Sequence, residues 1–160
     1  MQRFPFIVRV YGIYIDEQRN LLISDEFVQD KFITKFPGGG LQFGEGTIDC
    51  LKREMVEETA QEFDVLDHFY TTDFFVPSAF DPDAQVVCIY YEMRPVSPLR
   101  LSFGSKPFDF VELKPDAQSF RWISLEDLSP ADFTLPIDQR VAELILESWR
   151  SVNQRANIES

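Results

Sequence analysis

The spacing of apolar positions divides the chain into short β runs around two helical stretches. Phe6 to Ile15 is rich in β-branched and aromatic residues and predicts a strand. A turn at Gln18-Arg19-Asn20 leads to a short strand at Leu21 to Ser24, and Phe32 to Phe36 forms another. Pro37 then opens a loop containing Gly38, Gly39, Gly40, Gly44 and Gly46. Thr47 to about Gln61 has helical periodicity, with Ile48, Leu51 and Met55 as its core stripe and Gly46 or Thr47 as N-cap. Phe63 to Val76 and Gln85 to Met93 predict long strands, with a turn at Asp81-Pro82-Asp83 between them. Phe120 to Ile123 is a further strand, and Ser124 to Leu128 a short helical turn. Leu135 to Ser151 is a second amphipathic helix with Val141, Leu144, Ile145 and Trp149 inward, before a polar, frayed tail from Asn153. Strands flanking two helices predict a mixed α/β or α+β fold. No repeat or long linker divides it, so residues 1–152 are expected to form a single domain and 153–160 a polar C-terminal tail.

Composition narrows the classes. With 160 residues, 44% of them apolar and 16 Phe, the chain can bury a real core. Its formal net charge of −12 argues against a nucleic-acid polymer as partner. Cys50 and Cys88 are too few for a disulfide framework or a Cys-based zinc site, and they suit a reducing cytoplasm. Met1 to Phe6, interrupted by Pro5, does not read as a signal peptide, and no apolar run has the length of a membrane span.

The chemistry concentrates between Gly38 and Phe63. Glu54, Glu57 and Glu58 stand at i, i+3 and i+4, within an arc about 100° wide on one helix face. Like charges so placed repel by a few tenths of a kcal/mol per pair, and the arrangement calls for a cation. Arg53 is adjacent in sequence, but consecutive residues do not face each other on a helix, so a hard divalent ion is the expected partner. Mg²⁺ prefers carboxylate oxygens, keeps several waters and takes substrate phosphates as further ligands.

The whole segment resembles the signature box of the Nudix hydrolase family: Gly, five residues, Glu, seven residues, Arg-Glu, an apolar residue, any residue, Glu-Glu, any residue, Gly, and an apolar residue. Gly39, Glu45, Arg53-Glu54, Met55 and Glu57-Glu58 occupy those positions. A chance match of this kind is on the order of one in a hundred thousand. Ala60 stands where the family has Gly, and Gln61 where it has an apolar residue. Ala tolerates a left-handed helix cap poorly, which puts the helix exit in question.

The resemblance implies an α/β/α sandwich with a mixed sheet between helices. It also implies a hydrolase that uses Mg²⁺ (or Mn²⁺) to cleave the phosphoanhydride bond of a nucleoside diphosphate linked to another moiety. Glu54, Glu57, Glu58 and the Gly38 carbonyl would be metal ligands. Glu57 or Glu58 would help deprotonate the attacking water. Arg53 and Glu45 would form an orienting pair. An extra acid outside the box is common in the family, and Asp116 and Glu112 are the candidates. Asp138 lies where some relatives contact a base. The partner would be a small nucleotide-type molecule, and a homodimer is compatible with the resemblance. Two alternatives keep the fold: a catalytically silent ligand-sensing domain, and an isoprenoid-diphosphate isomerase drawing on Cys50 or Cys88.

Substrate selection is not legible. Tyr11, Phe36, Phe43, Phe75, Phe80 and Tyr90 could stack a base, with core packing as the default for each. Arg9, Arg94 and Arg121 could grip phosphate or carboxylate, with a strand-edge surface charge as the simpler role. The lone His68 has no partner evident in the sequence and is placed outside the mechanism.

Overall fold

A computed structural model describes residues 5–158, so the expectation for Met1 to Phe4 and the last two residues of the tail lie outside the described residues. Chain contacts gather into two compact units. One comprises residues through Ile15 with Phe36–Ser102, the other Asp16–Lys35 with residues from Phe103 onward.

The first unit holds a four-stranded sheet in the order β4-β1-β6-β5, with β1 Phe6–Ile13, β4 Gly38–Gly40, β5 Phe63–Thr71 and β6 Gln85–Pro95. The sheet is mixed: β1 runs parallel to β6 and antiparallel to β4, and β5 is antiparallel to β6. Helix α1, Thr47–Thr59, follows the glycine loop. It buries Leu51 and Met55 with Val10, Cys50, Phe63 and Met93 in one apolar cluster. Fully burying a side chain of this size contributes roughly 1.5–3 kcal/mol. Gly12 admits this packing, because a methyl group there would lie 2.1 Å from the Met93 sulfur.

The second unit holds an antiparallel sheet in the order β3-β2-β7, with β2 Asn20–Val28, β3 Lys31–Lys35 and β7 Ala117–Ser124. Leu21, Leu22 and Ile23 are successive and wholly buried, so both faces of β2 are covered there. Asp25 is fully buried and paired: it accepts from Arg121 Nε at 2.6 Å, Thr34 Oγ1 at 2.6 Å and the Phe108 N–H at 3.1 Å. Helix α2, Pro136–Ile158, buries Ile137, Val141, Ala142, Ile145 and Leu146, with Leu144 and Trp149 half-buried.

The expected class of mixed α+β fold with two helices is the one found, and the strands divide between two sheets. Several local expectations change. Gly38–Gly40 is a strand rather than loop, because its backbone pairs with β1. Ile48 is 44% exposed and drops out of the core stripe. The strand from Phe63 ends at Thr71 after two irregularities in its pairing, well before Val76. Strand β2 extends to Val28 because a two-residue hairpin, Gln29-Asp30, joins it to β3. Both hairpin residues have positive φ, as a type I′ turn requires, but neither is the Asn or Gly that would have announced it. Helix α2 continues through the expected frayed tail to Ile158.

Candidate active site

The site is built on strand β4, the loop after it and α1. Gly46 caps the helix with its backbone alone, its carbonyl accepting from the Cys50 N–H at 2.9 Å. Tyr91 and Thr47 share a hydroxyl–hydroxyl hydrogen bond of 2.7 Å that ties the first turn to β6. The exit is closed by Ala60 in the left-handed conformation, φ 55° and ψ 22°, with its N–H on the Val56 carbonyl at 2.8 Å. The position where the family pattern has Gly thus takes the backbone shape that favours Gly, in spite of the Ala. Gln61 also has a function the pattern does not supply. Its side chain donates to the Pro98 carbonyl and accepts from the Arg100 N–H, holding the segment after β6.

Arg53 is the centre of the acidic face. Its Nε and Nη2 bind Glu45 at 2.9 and 2.7 Å as a bidentate pair. Nη2 also donates to the Gly40 carbonyl at 3.0 Å, and Nη1 to Glu54 at 3.0 Å and Glu57 at 3.2 Å. The expectation that Arg53 could not meet its neighbour Glu54 is therefore corrected. The rule for consecutive residues describes the directions of Cβ atoms, whereas a guanidinium on a long flexible stem bends back to the adjacent carboxylate. Arg53 also holds Glu45 well below the usual carboxylate range, at about 2, with help from the Gln42 N–H. Those carboxylates hold the Arg53 guanidinium firmly protonated.

Gly39 makes room for this arrangement. A methyl group on it would lie 2.4 Å from the Glu54 carboxyl carbon, so the carboxylate rests directly on the strand backbone. Glu54 and Glu58 are half-buried, one Glu58 oxygen has no exposed surface, and Glu57 is exposed. Among the described residues, no three His, Cys, Asp or Glu side chains converge as a ready metal cage. The donor set is nevertheless all oxygen, the kind Mg²⁺ selects. Three glutamates, Glu45, Glu54 and Glu57, share the one Arg53 guanidinium, so negative charge exceeds positive in this group.

Other candidates are distributed differently. Gly38 lies buried in β4, opposite Tyr11. Asp116 and Glu112 belong to the other unit and lie on exposed loop. Asp116 is the left-handed residue that enters β7, its N–H on the Phe27 carbonyl at 2.9 Å. Asp138 is buried at the start of α2. Of the arginines, Arg121 is a largely buried partner of Asp25 rather than a surface charge, and Arg94 makes an exposed pair with Asp64 at 3.5 Å. Tyr11, Phe36 and Tyr90 are buried core aromatics, while Phe43, Phe75 and Phe80 are exposed. His68 does have partners: Thr71 Oγ1 at 2.8 Å and the edge of the Tyr91 ring. Cys50 is wholly buried, with its thiol pushed up to about 12, chiefly by burial. The sequence reading missed the Gly40 carbonyl as a further anchor for Arg53, because only the fold brings that backbone oxygen to the helix.

The site is thus a glycine strand leading into a helix with one acidic face, on a mixed α+β frame. The chain belongs to the NUDIX domain family, whose profile matches residues 5–144. Its fold is similar to several solved structures. The solution structure of the E. coli ORF135 protein matches with a TM-score of 0.64 and 18% identity, covering 90% of this chain and 91% of that one. The MutT protein from Methanosarcina mazei Go1 matches at 0.64 and 19%, covering 89% and 94%. An ADP-ribose pyrophosphatase from Streptococcus suis 89-1591 matches at 0.54 and 16%, covering 90% and 92%. No curated protein sequence matches. Among the described residues, no helix is long and apolar enough to cross a membrane.

Proposed function

We propose that this chain is a metal-dependent hydrolase that cleaves the phosphoanhydride bond of a nucleoside diphosphate linked to a further group. The observation that carries this reading is the shared guanidinium: Glu45, Glu54 and Glu57 all bind Arg53, and Glu58 stands on the same helix face. Three carboxylates on one guanidinium favour a further cation, and a phosphate substrate needs one as well. Glu54, Glu57 and Glu58, with the Gly38 carbonyl, would hold Mg²⁺ (or Mn²⁺). When bound, the metal acidifies water and offsets charge on the phosphoryl oxygens.

The chain's own residues do the positioning. Glu45 fixes the plane of Arg53, and Arg53 holds Glu54 against Gly39. Glu57, the most exposed acid, or Glu58 takes the proton of the attacking water. Asp116 and Glu112 are the candidates for an extra acid. Residues 1–152 act as one catalytic domain on this reading, which is supported by a family match that runs through both units. The substrate is a small nucleotide-type molecule, in keeping with the ADP-ribose pyrophosphatase among the similar folds. The buried, high-pKa Cys50 gives no support to proton transfer by a thiol, as an isomerase would need.

The test is a phosphate-release assay over nucleotide sugars, ADP-ribose, dinucleoside polyphosphates and nucleoside triphosphates, with Mg²⁺ and with Mn²⁺. Turnover that falls by orders of magnitude in Glu57→Gln while the fold is kept supports the assignment. Silence across the panel, with no Mg²⁺ binding by calorimetry, leaves the ligand-sensing alternative.

A further inference from the structure

Two departures from the family pattern, Ala60 and Gln61, lie at the exit of α1. Ala60 turns the chain in the left-handed conformation, and the Gln61 N–H then donates to Thr59 Oγ1 at 3.2 Å. The Gln61 side chain crosses to the segment after β6. Its Nε2 donates to Ser97 Oγ at 3.3 Å and to the Pro98 carbonyl at 3.0 Å, and its Oε1 accepts from the Arg100 N–H at 2.7 Å. The apolar side chain that the pattern has at this position could make none of these bonds. In this chain the departure fixes where Arg100 stands.

The same residues line a hollow. Thr59, Ala60, Gln61 and Arg100 border about 370 Å³, with Glu62 and Val96 as the other wall. Glu62 and Val96 also border a second hollow of about 590 Å³, with Lys52, Arg53, Val56 and Glu57 across from them. The two adjoin along this shared wall, which the Val96 N–H holds by donating to the Glu62 carbonyl at 2.9 Å. Each has the size of a small-molecule site, roughly 300–1,000 Å³. One end of the combined groove reaches Glu57, an acid of the face assigned to metal, and the other reaches Arg100.

The lining has a chemical order. Arg53 is engaged by Glu45, Glu54 and Glu57, and Asp64 on the far wall is paired with Arg94. Lys52 and Arg100 are exposed and make no ion pair among the described residues. The shared wall offers the exposed Val96 side chain and the exposed Glu62 carboxylate. A cation at each end suits a ligand with two anionic groups. A valine beside a carboxylate suits a hydroxylated ring, whose carbon face packs on the valine and whose hydroxyls donate to the carboxylate. The carboxylate also disfavours an anion in the middle of the groove.

We propose that this groove holds the further group of the substrate, and that Arg100 binds an anionic substituent on it, with Gln61 as the residue that positions Arg100. The proposal rests on the hydrolase reading above and deepens it. The group is a sugar-like ring that ends in a phosphate or a carboxylate. Lys52 meets the phosphate nearest Glu57, and the guanidinium of Arg100 forks onto two oxygens of the distal anion.

The test uses three phosphate esters that contain no phosphoanhydride bond to cleave: glucose 1-phosphate, glucose 1,6-bisphosphate and glucuronate 1-phosphate. Their binding is measured by NMR titration of the whole chain at fixed Mg²⁺. The two probes with a second anion are expected to bind about tenfold more tightly than glucose 1-phosphate, the effect of one hydrogen bond to a charged group. A preference for one of those two identifies the distal anion as phosphate or as carboxylate. Arg100→Gln is expected to bring the affinity ratios close to one. Gln61→Leu should lower the ratios although Arg100 is kept; a merely structural Gln61 would alter stability and leave the ratios alone. Lys52→Gln should weaken all three probes alike. Melting curves confirm that each variant is folded, and Arg100→Gln carries the test if Gln61→Leu is not. Equal affinity for the three probes, ratios unmoved in Arg100→Gln, or a folded wild type that binds none of them overturns the proposal. Hydrolysis of nucleotide substrates is read in parallel. An Arg100-dependent preference with no cleavage of any substrate would sink the hydrolase reading alone. Cleavage without such a preference would sink the groove assignment alone.

Discussion

Replacing Ala60 by Gly should make the protein more stable and leave its activity unchanged. Ala60 ends α1 with φ 55° and ψ 22°, and its N–H closes the helix on the Val56 carbonyl. In this conformation a Cβ crowds the backbone by about 1–2 kcal/mol, a penalty that Gly escapes. Glycine is also more disordered in the unfolded chain, which returns about 0.4–1 kcal/mol of that gain. The net expectation is a stabilisation of about 1 kcal/mol, or roughly 2–4 °C in melting temperature for a chain of this size. Ala60 is exposed, so neither substitution at the site perturbs a core contact. Urea unfolding of the wild type, Ala60→Gly and Ala60→Val provides the measurement, with the midpoint as readout and an unchanged slope as the control. Val should destabilise, since a branched Cβ is worse in this conformation. A midpoint that is lowered or unmoved by Gly would refute the reasoning, because it would mean the left-handed cap carries no strain.

Three further outcomes follow from the same geometry. Gly39→Ala should cut turnover more than tenfold, beyond the effect of a single lost hydrogen bond, because the new methyl displaces the Glu54 carboxylate; steady-state kinetics with normal KM and turnover would contradict it. Glu45 has a folded pKa lowered from 4.5 to about 2, so its contribution to stability is present above pH 4.5 and lost as the pH falls through about 2. Melting temperature against pH should therefore fall less steeply between those values in Glu45→Gln, and parallel curves would contradict the Arg53 pairing. Asp25→Ala should destabilise by about 3–5 kcal/mol, since it leaves Arg121 nearly buried without its carboxylate; a loss under about 1 kcal/mol in chemical unfolding would mean that the pair behaves as a surface bridge.

Much of the candidate site was legible in the linear chain because its parts are local. Gly39, Glu45, Arg53, Glu54, Glu57 and Glu58 fall within one strand-loop-helix unit, where spacing alone sets the helix face. The charge balance was less accessible. Sequence reasoning set Arg53 aside on the geometry of adjacent Cβ atoms, yet the flexible stem carries its guanidinium to Glu45, Glu54, Glu57 and the Gly40 carbonyl. Arg121 was taken for a surface charge because its partner, Asp25, lies 96 residues away and meets it only through the β2–β7 pairing. The Gln29-Asp30 hairpin was invisible because pairing between Lys31 and Val28 imposes a positive φ on Gln29, a residue that does not announce such a turn.

By itself, then, the sequence determined the two helices, most of the strands, the acidic helix face and the family, since each depends on periodicity or short spacing. The tertiary structure alone decided that Gly38–Gly40 is a strand of the sheet, that Ala60 takes the left-handed cap, and that Arg53 reaches the Gly40 carbonyl. Those depend on which backbone pairs with which. Hydrogen-bonded register between segments distant in the chain, together with the absence of side chains on β4, brings together groups that no local pattern relates.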